Sequence, residues 1–256
     1  MAKALISRVL TFAVASTCLG LAYAPSVRAA TFNFITPAGS TVTDGSVSAS
    51  ASFTTSTGLI SVTLTDLLAD PNSVGQLLSD ISFTYSGTAL ASGATLSSSF
   101  GQELTVADNG TFSLGSGTVA TGWNLTAVGT SSLHLDALGG SQADHLIIGP
   151  PGVGGTYSNA NGSIAGNDPH NPFLNQTATF NIALAGITDT TSISAVIFSF
   201  GTTEGAELVP GVPGGGPAPP PPEVPLPGAL PLFVSGLGAL GLLAWRRKRK
   251  PEAAAA

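Results

Sequence analysis

Hydrophobic and polar residues alternate along much of this 256-residue chain, and such alternation is typical of half-buried β-strands. Four segments show the pattern most clearly, at residues 46–53, 60–65, 81–86 and 178–184. In each segment an apolar side chain occupies every second position, and Ser, Thr or Asn occupies most of the others. A fifth segment, residues 193–200, is apolar on both faces and predicts a strand with neighbours on both sides.

Residues that favour turns separate these segments and indicate the fold class. The Asp-Asn-Gly sequence at 108–110 predicts a hairpin between two strands. Ser73 and Gln76 have the spacing of a capping box and predict one short helix over 73–79. Ten or more short strands predict a single all-β domain at residues 30–208, built as an antiparallel β-sandwich or a jelly roll.

The first 29 residues predict a secretory signal peptide. Lys3 and Arg8 precede an uncharged, mostly apolar run at 9–24 that contains the only cysteine of the chain. Val27 and Ala29 place small residues at the −3 and −1 positions, so we expect cleavage after Ala29. The mature protein would then have no cysteine, which excludes disulfides and thiol chemistry. An uncleaved membrane anchor is the alternative interpretation.

Basic residues are confined to the two ends of the chain. All eight Lys and Arg residues lie within the first 28 residues or at 246–250, whereas residues 31–222 contain twelve Asp or Glu and no Lys or Arg. Without cations the body has no means of binding the phosphates of a nucleic acid, so no nucleic-acid partner is expected. The sequence also lacks a nucleophile elbow and a zinc-protease helix, and we predict no catalytic activity.

The C-terminal region divides into a linker, an apolar span and a basic cluster. Residues 209–222 include seven Pro and four Gly and predict an extended linker that forms neither helix nor sheet. Residues 224–245 carry no charge, and as a helix they would span about 33 Å, enough to cross a membrane once. The stop-transfer cluster, which would remain in the cytoplasm, consists of Arg246, Arg247, Lys248, Arg249 and Lys250.

The proline-bearing motif, the uncharged span and the basic cluster together resemble the PEP-CTERM sorting signal. The signal would occupy residues 223–250, followed by a tail at 251–256. In place of an intact Pro-Glu-Pro the chain has a Val-Pro-Leu-Pro variant, and the motif residues are Glu223, Val224, Pro225, Leu226 and Pro227. The resemblance implies a precursor held transiently in the inner membrane of a Gram-negative bacterium. An exosortase would cut it near the motif, and the body would reach the cell surface or the extracellular matrix.

Histidine, aspartate and asparagine residues gather in the second half of the body and could bind a metal ion. His134 and Asp136 are two residues apart on a predicted strand, so their side chains share one outward face. Oxygen-rich loops suit calcium, whereas several imidazoles suit zinc or copper. The alternative is that these residues are solvated turn and strand residues. The candidate ligands are His134, Asp136, Asp144, His145, Asp168 and His170. No other cofactor is expected.

These observations predict an exported surface or matrix protein with a structural or adhesive role, for which extracellular polysaccharide is a candidate partner. The alternative is a secreted carbohydrate-binding module or a glycoside hydrolase on a β-sandwich, because two carboxylates suffice for glycoside hydrolysis. Trp123 is the aromatic residue that could stack against a sugar, although a position in the core is the favoured interpretation.

Overall fold

The structure, a computed structural model, describes residues 29–139, 145–166 and 170–214. These residues form fifteen strands and three short helical turns, the turns lying at Val74–Gln76, Ala91–Gly93 and Ala160–Ile164. The strands are β1 Ala30–Ile35, β2 Thr41–Val42, β3 Gly45–Ser46, β4 Ala49–Ser56, β5 Leu59–Asp66, β6 Leu78–Tyr85, β7 Thr95–Val106, β8 Phe112–Leu114, β9 Asn124–Ala127, β10 Ser132–Asp136, β11 Ile147–Ile148, β12 Phe173–Ala183, β13 Ile193–Phe200, β14 Leu208–Pro210 and β15 Val212–Pro213.

The main strands form two sheets that are joined by one short strand. Five strands pair in the order β14-β13-β6-β10-β9, and seven pair in the order β15-β1-β4-β5-β12-β7-β8. The joining strand β11 pairs with β6 on one side and, in parallel, with β12 on the other. Every other pairing among the described strands is antiparallel, and β2 and β3 form a separate small hairpin. The predicted all-β class is therefore confirmed.

The buried faces of the two sheets meet in one apolar core. β4 and β5 bury every second residue, as their sequence alternation predicts. Phe53 of β4 lies with its ring centroid 4.8 Å from that of Phe83 on β6, so it links the seven-stranded sheet to the five-stranded sheet. Burial of such a side chain contributes about 1.5–3 kcal/mol, so contacts of this kind stabilise the packing of one sheet against the other.

Two local predictions have different outcomes. The hairpin at 108–110 is confirmed, because β7 and β8 pair on either side of it. The capping box of Ser73 and Gln76 is also present, but the helix that it starts is a single turn of three residues rather than one extending to residue 79. The helix ends early because the next residues pair as β6 and bury their side chains completely, an arrangement that a longer helix would prevent.

The folded body continues further along the chain than the sequence predicted. β14 begins one residue before the predicted linker at 209–222, and β15 lies inside it. β14 pairs with β13, and β15 pairs with β1. Val209 is buried, and both short strands add to the outer edges of the two sheets. Proline is tolerated there because an edge strand leaves part of its backbone unpaired.

No helix among residues 29–139, 145–166 and 170–214 is long and apolar enough to span a membrane. The predicted transmembrane segment at 224–245, the sorting motif and the basic cluster all lie outside the described residues.

Candidate functional site

A histidine and three carboxylates come together where β6, β10 and the 201–207 loop meet. The register of the two strands places Asp136 opposite Asp80 and places His134 opposite Ser82, so the three ionisable side chains share one face. Glu204 reaches the same place from the loop between β13 and β14. One ligand atom from each of His134, Asp136 and Glu204 lies within 4.8 Å of the other two. We refer to Asp80, His134, Asp136 and Glu204 as the acidic cluster.

Asp80 is the most constrained member of the acidic cluster. Asp80 is only 2 % exposed, and its Oδ1 lies 3.3 Å from Nε2 of His134. Its other carboxylate oxygen, Oδ2, is buried and has no hydrogen-bond partner among the residues that the structure describes. An unsatisfied buried carboxylate oxygen is unfavourable, so this oxygen is available to a further partner.

The electrostatics of the acidic cluster favour positive charge. The hydrogen bond to Asp80 raises the pKa of His134, outweighing the opposing effect of burial, and the nearby charges of Asp136 and Glu204 act in the same direction. Burial raises the pKa of Asp136, although a hydrogen bond from the Leu138 amide and the charge of His134 partly oppose the shift. The cluster can therefore hold either a proton or a bound cation.

The structure brings together only part of the predicted ligand set. His134 and Asp136 share the face opposite the core residues Leu133 and Leu135, as expected, but Asp136 is buried there. His145 is not in the acidic cluster, because Nδ1 lies 3.0 Å from the Thr121 carbonyl and Nε2 lies 3.1 Å from Oε1 of Glu103. His170 does not belong to the cluster either. Asp144 and Asp168 lie outside the described residues.

Sequence reasoning missed two members of the acidic cluster. Asp80 is the one charged residue of β6, and a carboxylate inside a strand was the available signal. Glu204 lies in a polar loop with no distinguishing pattern. Both are far from residue 134 along the chain, so only the pairing of β6 with β10 and the course of the 201–207 loop unite them.

Trp123 lies in the core, which confirms the interpretation favoured from the sequence. It is 4 % exposed, its Nε1 donates a hydrogen bond of 2.9 Å to the His145 carbonyl, and its ring lies 4.9 Å from that of Phe180. Tyr85 and Tyr157 are also buried. None of these three aromatic side chains is therefore available to stack against a sugar.

The outer face of the seven-stranded sheet carries an uncharged array of hydroxyl and amide groups. Strands β4, β5 and β12 lie side by side, and their outward residues are partly exposed. Hydroxyls meet across the strands, at 3.4 Å between Thr63 and Thr179 and at 3.2 Å between Thr65 and Thr177. The array, called the hydroxyl face below, consists of Ser50, Ser52, Thr54, Ser61, Thr63, Thr65, Thr177, Thr179 and Asn181.

In comparison with known proteins, the C-terminal region of the chain matches a described sequence motif. Residues 223–249 match the PEP-CTERM protein-sorting motif. No curated protein and no solved structure matches the chain. The predicted resemblance is therefore confirmed at the residues that carried it. The chain has a PEP-CTERM sorting signal, which implies a protein exported through a membrane-anchored precursor and sorted by an exosortase to the cell surface.

Proposed function

We propose that the body is a noncatalytic structural or adhesive protein of the cell surface or extracellular matrix, and that its hydroxyl face contacts neutral polysaccharide. The hydroxyl face supports this role, because it is a sheet surface without charged residues on a protein whose sorting signal implies export. Adjacent strands repeat their hydroxyl and amide groups at about 4.8 Å, so donors and acceptors recur at regular intervals.

The charge distribution favours a neutral polysaccharide over an acidic one. The body has twelve carboxylates and no Lys or Arg between residues 31 and 222, so an acidic polymer would be repelled. The hydroxyl face offers neutral hydrogen-bonding groups that can exchange water for sugar hydroxyls at little desolvation cost. The same lack of cations leaves no Lys or Arg to stabilise an anionic transition state, which supports a role without catalysis.

Loss of two hydroxyls from the hydroxyl face should weaken retention on the host's own exopolysaccharide. We expect the double variant Thr63→Val, Thr179→Val to bind about tenfold more weakly, because each hydrogen bond contributes about 0.5–1.5 kcal/mol. Valine keeps the branched shape that suits a strand. Affinity electrophoresis of the purified full-length chain in exopolysaccharide gels would measure the change.

The matched control removes a pair of exposed hydroxyls elsewhere. Thr105→Val with Ser113→Val alters two facing residues of β7 and β8, and retention should be unchanged. Equal losses in the two double variants would contradict a specific role for the hydroxyl face. Release of reducing ends by the wild type, abolished by changing one body carboxylate to its amide, would replace the adhesive role with glycoside hydrolysis.

We further expect the mature protein to be shorter than the precursor at both ends. It should begin near Ala30, where β1 starts, and end within residues 224–227, beyond the last strand at Pro213. Cuts at these places would leave every described strand intact. Intact-mass measurement of protein released from its native host would give the two termini. A surface species that retains residues 246–250 would instead indicate a permanent type I membrane anchor.

A further inference from the structure

We propose that His134, Asp136 and Glu204, together with Asp80, bind one divalent transition-metal ion of the Zn²⁺ or Mn²⁺ type. This inference does not depend on the polysaccharide contact, because the acidic cluster belongs to the five-stranded sheet and the hydroxyl face to the seven-stranded sheet.

The spacing of the ligand atoms suits a metal ion of this size. Bonds of about 2.0–2.2 Å from one ion to nitrogen and oxygen place two ligand atoms at most about 4.4 Å apart. The ligand atoms of His134, Asp136 and Glu204 already lie within 4.8 Å of one another. Small side-chain rotations would therefore bring all three to bonding distance without movement of the strands.

Asp80 provides an independent reason to expect a cation. Its Oδ2 is buried without a hydrogen-bond partner among the described residues, while its Oδ1 contacts His134 on the same face. A cation would satisfy this oxygen directly, and the contact of Asp80 Oδ1 with the imidazole is of the kind that commonly orients a histidine ligand. No Lys or Arg between residues 31 and 222 can supply that charge.

The chemistry of the four side chains selects the class of ion. Calcium takes about six to eight oxygen ligands, and an imidazole nitrogen does not suit it. One imidazole with carboxylates suits zinc or manganese instead, since imidazole favours zinc and carboxylate favours manganese. The acidic cluster therefore favours a transition-metal ion, one of the two classes of ion that the sequence left open.

Zinc titration of the untagged full-length chain, purified in detergent, tests the site directly. With a chromogenic chelator as competitor, we expect saturable binding of one Zn²⁺ per chain. Glu204→Gln should weaken binding at least about tenfold, the loss expected when one charged ligand is removed. His134→Gln should abolish saturable binding. Circular dichroism would establish that each variant keeps its strands. Because Glu204 is exposed, Glu204→Gln should leave the core intact.

Glu207→Gln is the matched control. Glu207 lies in the same loop, but it accepts a hydrogen bond from the Thr43 amide and is not part of the acidic cluster. The change therefore removes one negative charge outside the cluster. The zinc affinity of this variant should equal that of the wild type. Absence of saturable binding by the wild type would overturn the proposal and leave His134 and Asp80 as a structural pair. Equal weakening by Glu207→Gln, or tighter binding of Ca²⁺ than of Zn²⁺, would also overturn it.

Discussion

Phe53→Ala is expected to lower the free energy of unfolding by about 3–5 kcal/mol. Phe53 is fully buried, and its ring contacts Phe34 of the same sheet at 5.9 Å and Phe83 of the opposite sheet at 4.8 Å, measured between centroids. Truncation therefore removes contacts between the sheets as well as apolar burial, and it leaves a cavity that rigid strands cannot close. Because domains of this kind are stable by only about 5–15 kcal/mol, this change should move the protein close to unfolding.

Urea denaturation followed by circular dichroism would measure the difference between Phe53→Ala and the wild type. Ser52→Ala is the matched control, since Ser52 precedes Phe53 on β4 and points to the partly exposed opposite face. We expect Ser52→Ala to change the free energy of unfolding by less than about 0.5 kcal/mol. Similar losses in both variants would show that the alternation of buried and exposed residues on β4 is not as described.

Asp66→Asn should become increasingly stable relative to the wild type as the pH rises from acidic to neutral. Asp66 is 1 % exposed, and its Oδ2 has no hydrogen-bond partner among the described residues. Burial raises the pKa of this carboxyl well above 3.8, although backbone amides of Leu68, Leu78 and Gly149 oppose the shift. Asparagine has nearly the same shape and does not ionise, so the variant lacks this titration.

Proton binding by Asp66 determines the direction in which the free energy of unfolding changes with pH. Between the unfolded and folded pKa values of Asp66 the folded protein binds more protons than the unfolded chain, so the free energy of unfolding falls as the pH rises. The favourable contribution is fully present below about pH 3.8, the unfolded value, and is lost as the pH rises through the folded value. Each unit of difference between the two values amounts to about 1.4 kcal/mol.

Urea denaturation of both proteins at several pH values, at constant ionic strength, would measure this difference. Asp108→Asn removes one negative charge from an exposed hairpin turn and serves as the control for net charge. A pH dependence in Asp108→Asn as steep as that in Asp66→Asn would assign the effect to overall charge repulsion. A difference between Asp66→Asn and the wild type that stays constant with pH would contradict the raised pKa of Asp66.

The acidic cluster shows how far local sequence reasoning reaches. The two-residue spacing of His134 and Asp136 was enough to predict that they share a face, because side chains alternate along any strand. Their degree of burial was not predictable from that spacing. Asp136 is buried on the face that Glu204 of the 201–207 loop approaches, and that contact joins segments far apart in the sequence.

The sequence by itself determined the sorting signal, the all-β class and the buried face of β4, β5, β6 and β12, since a short local pattern specifies each of them. Only the tertiary structure decided that Asp80 and Glu204 join His134, that Asp66 is buried, and that residues 208–213 extend the sheet edges. The reason is physical. Alternation is a property of neighbouring residues, whereas strand register and the burial of a polar group depend on which distant strand packs alongside.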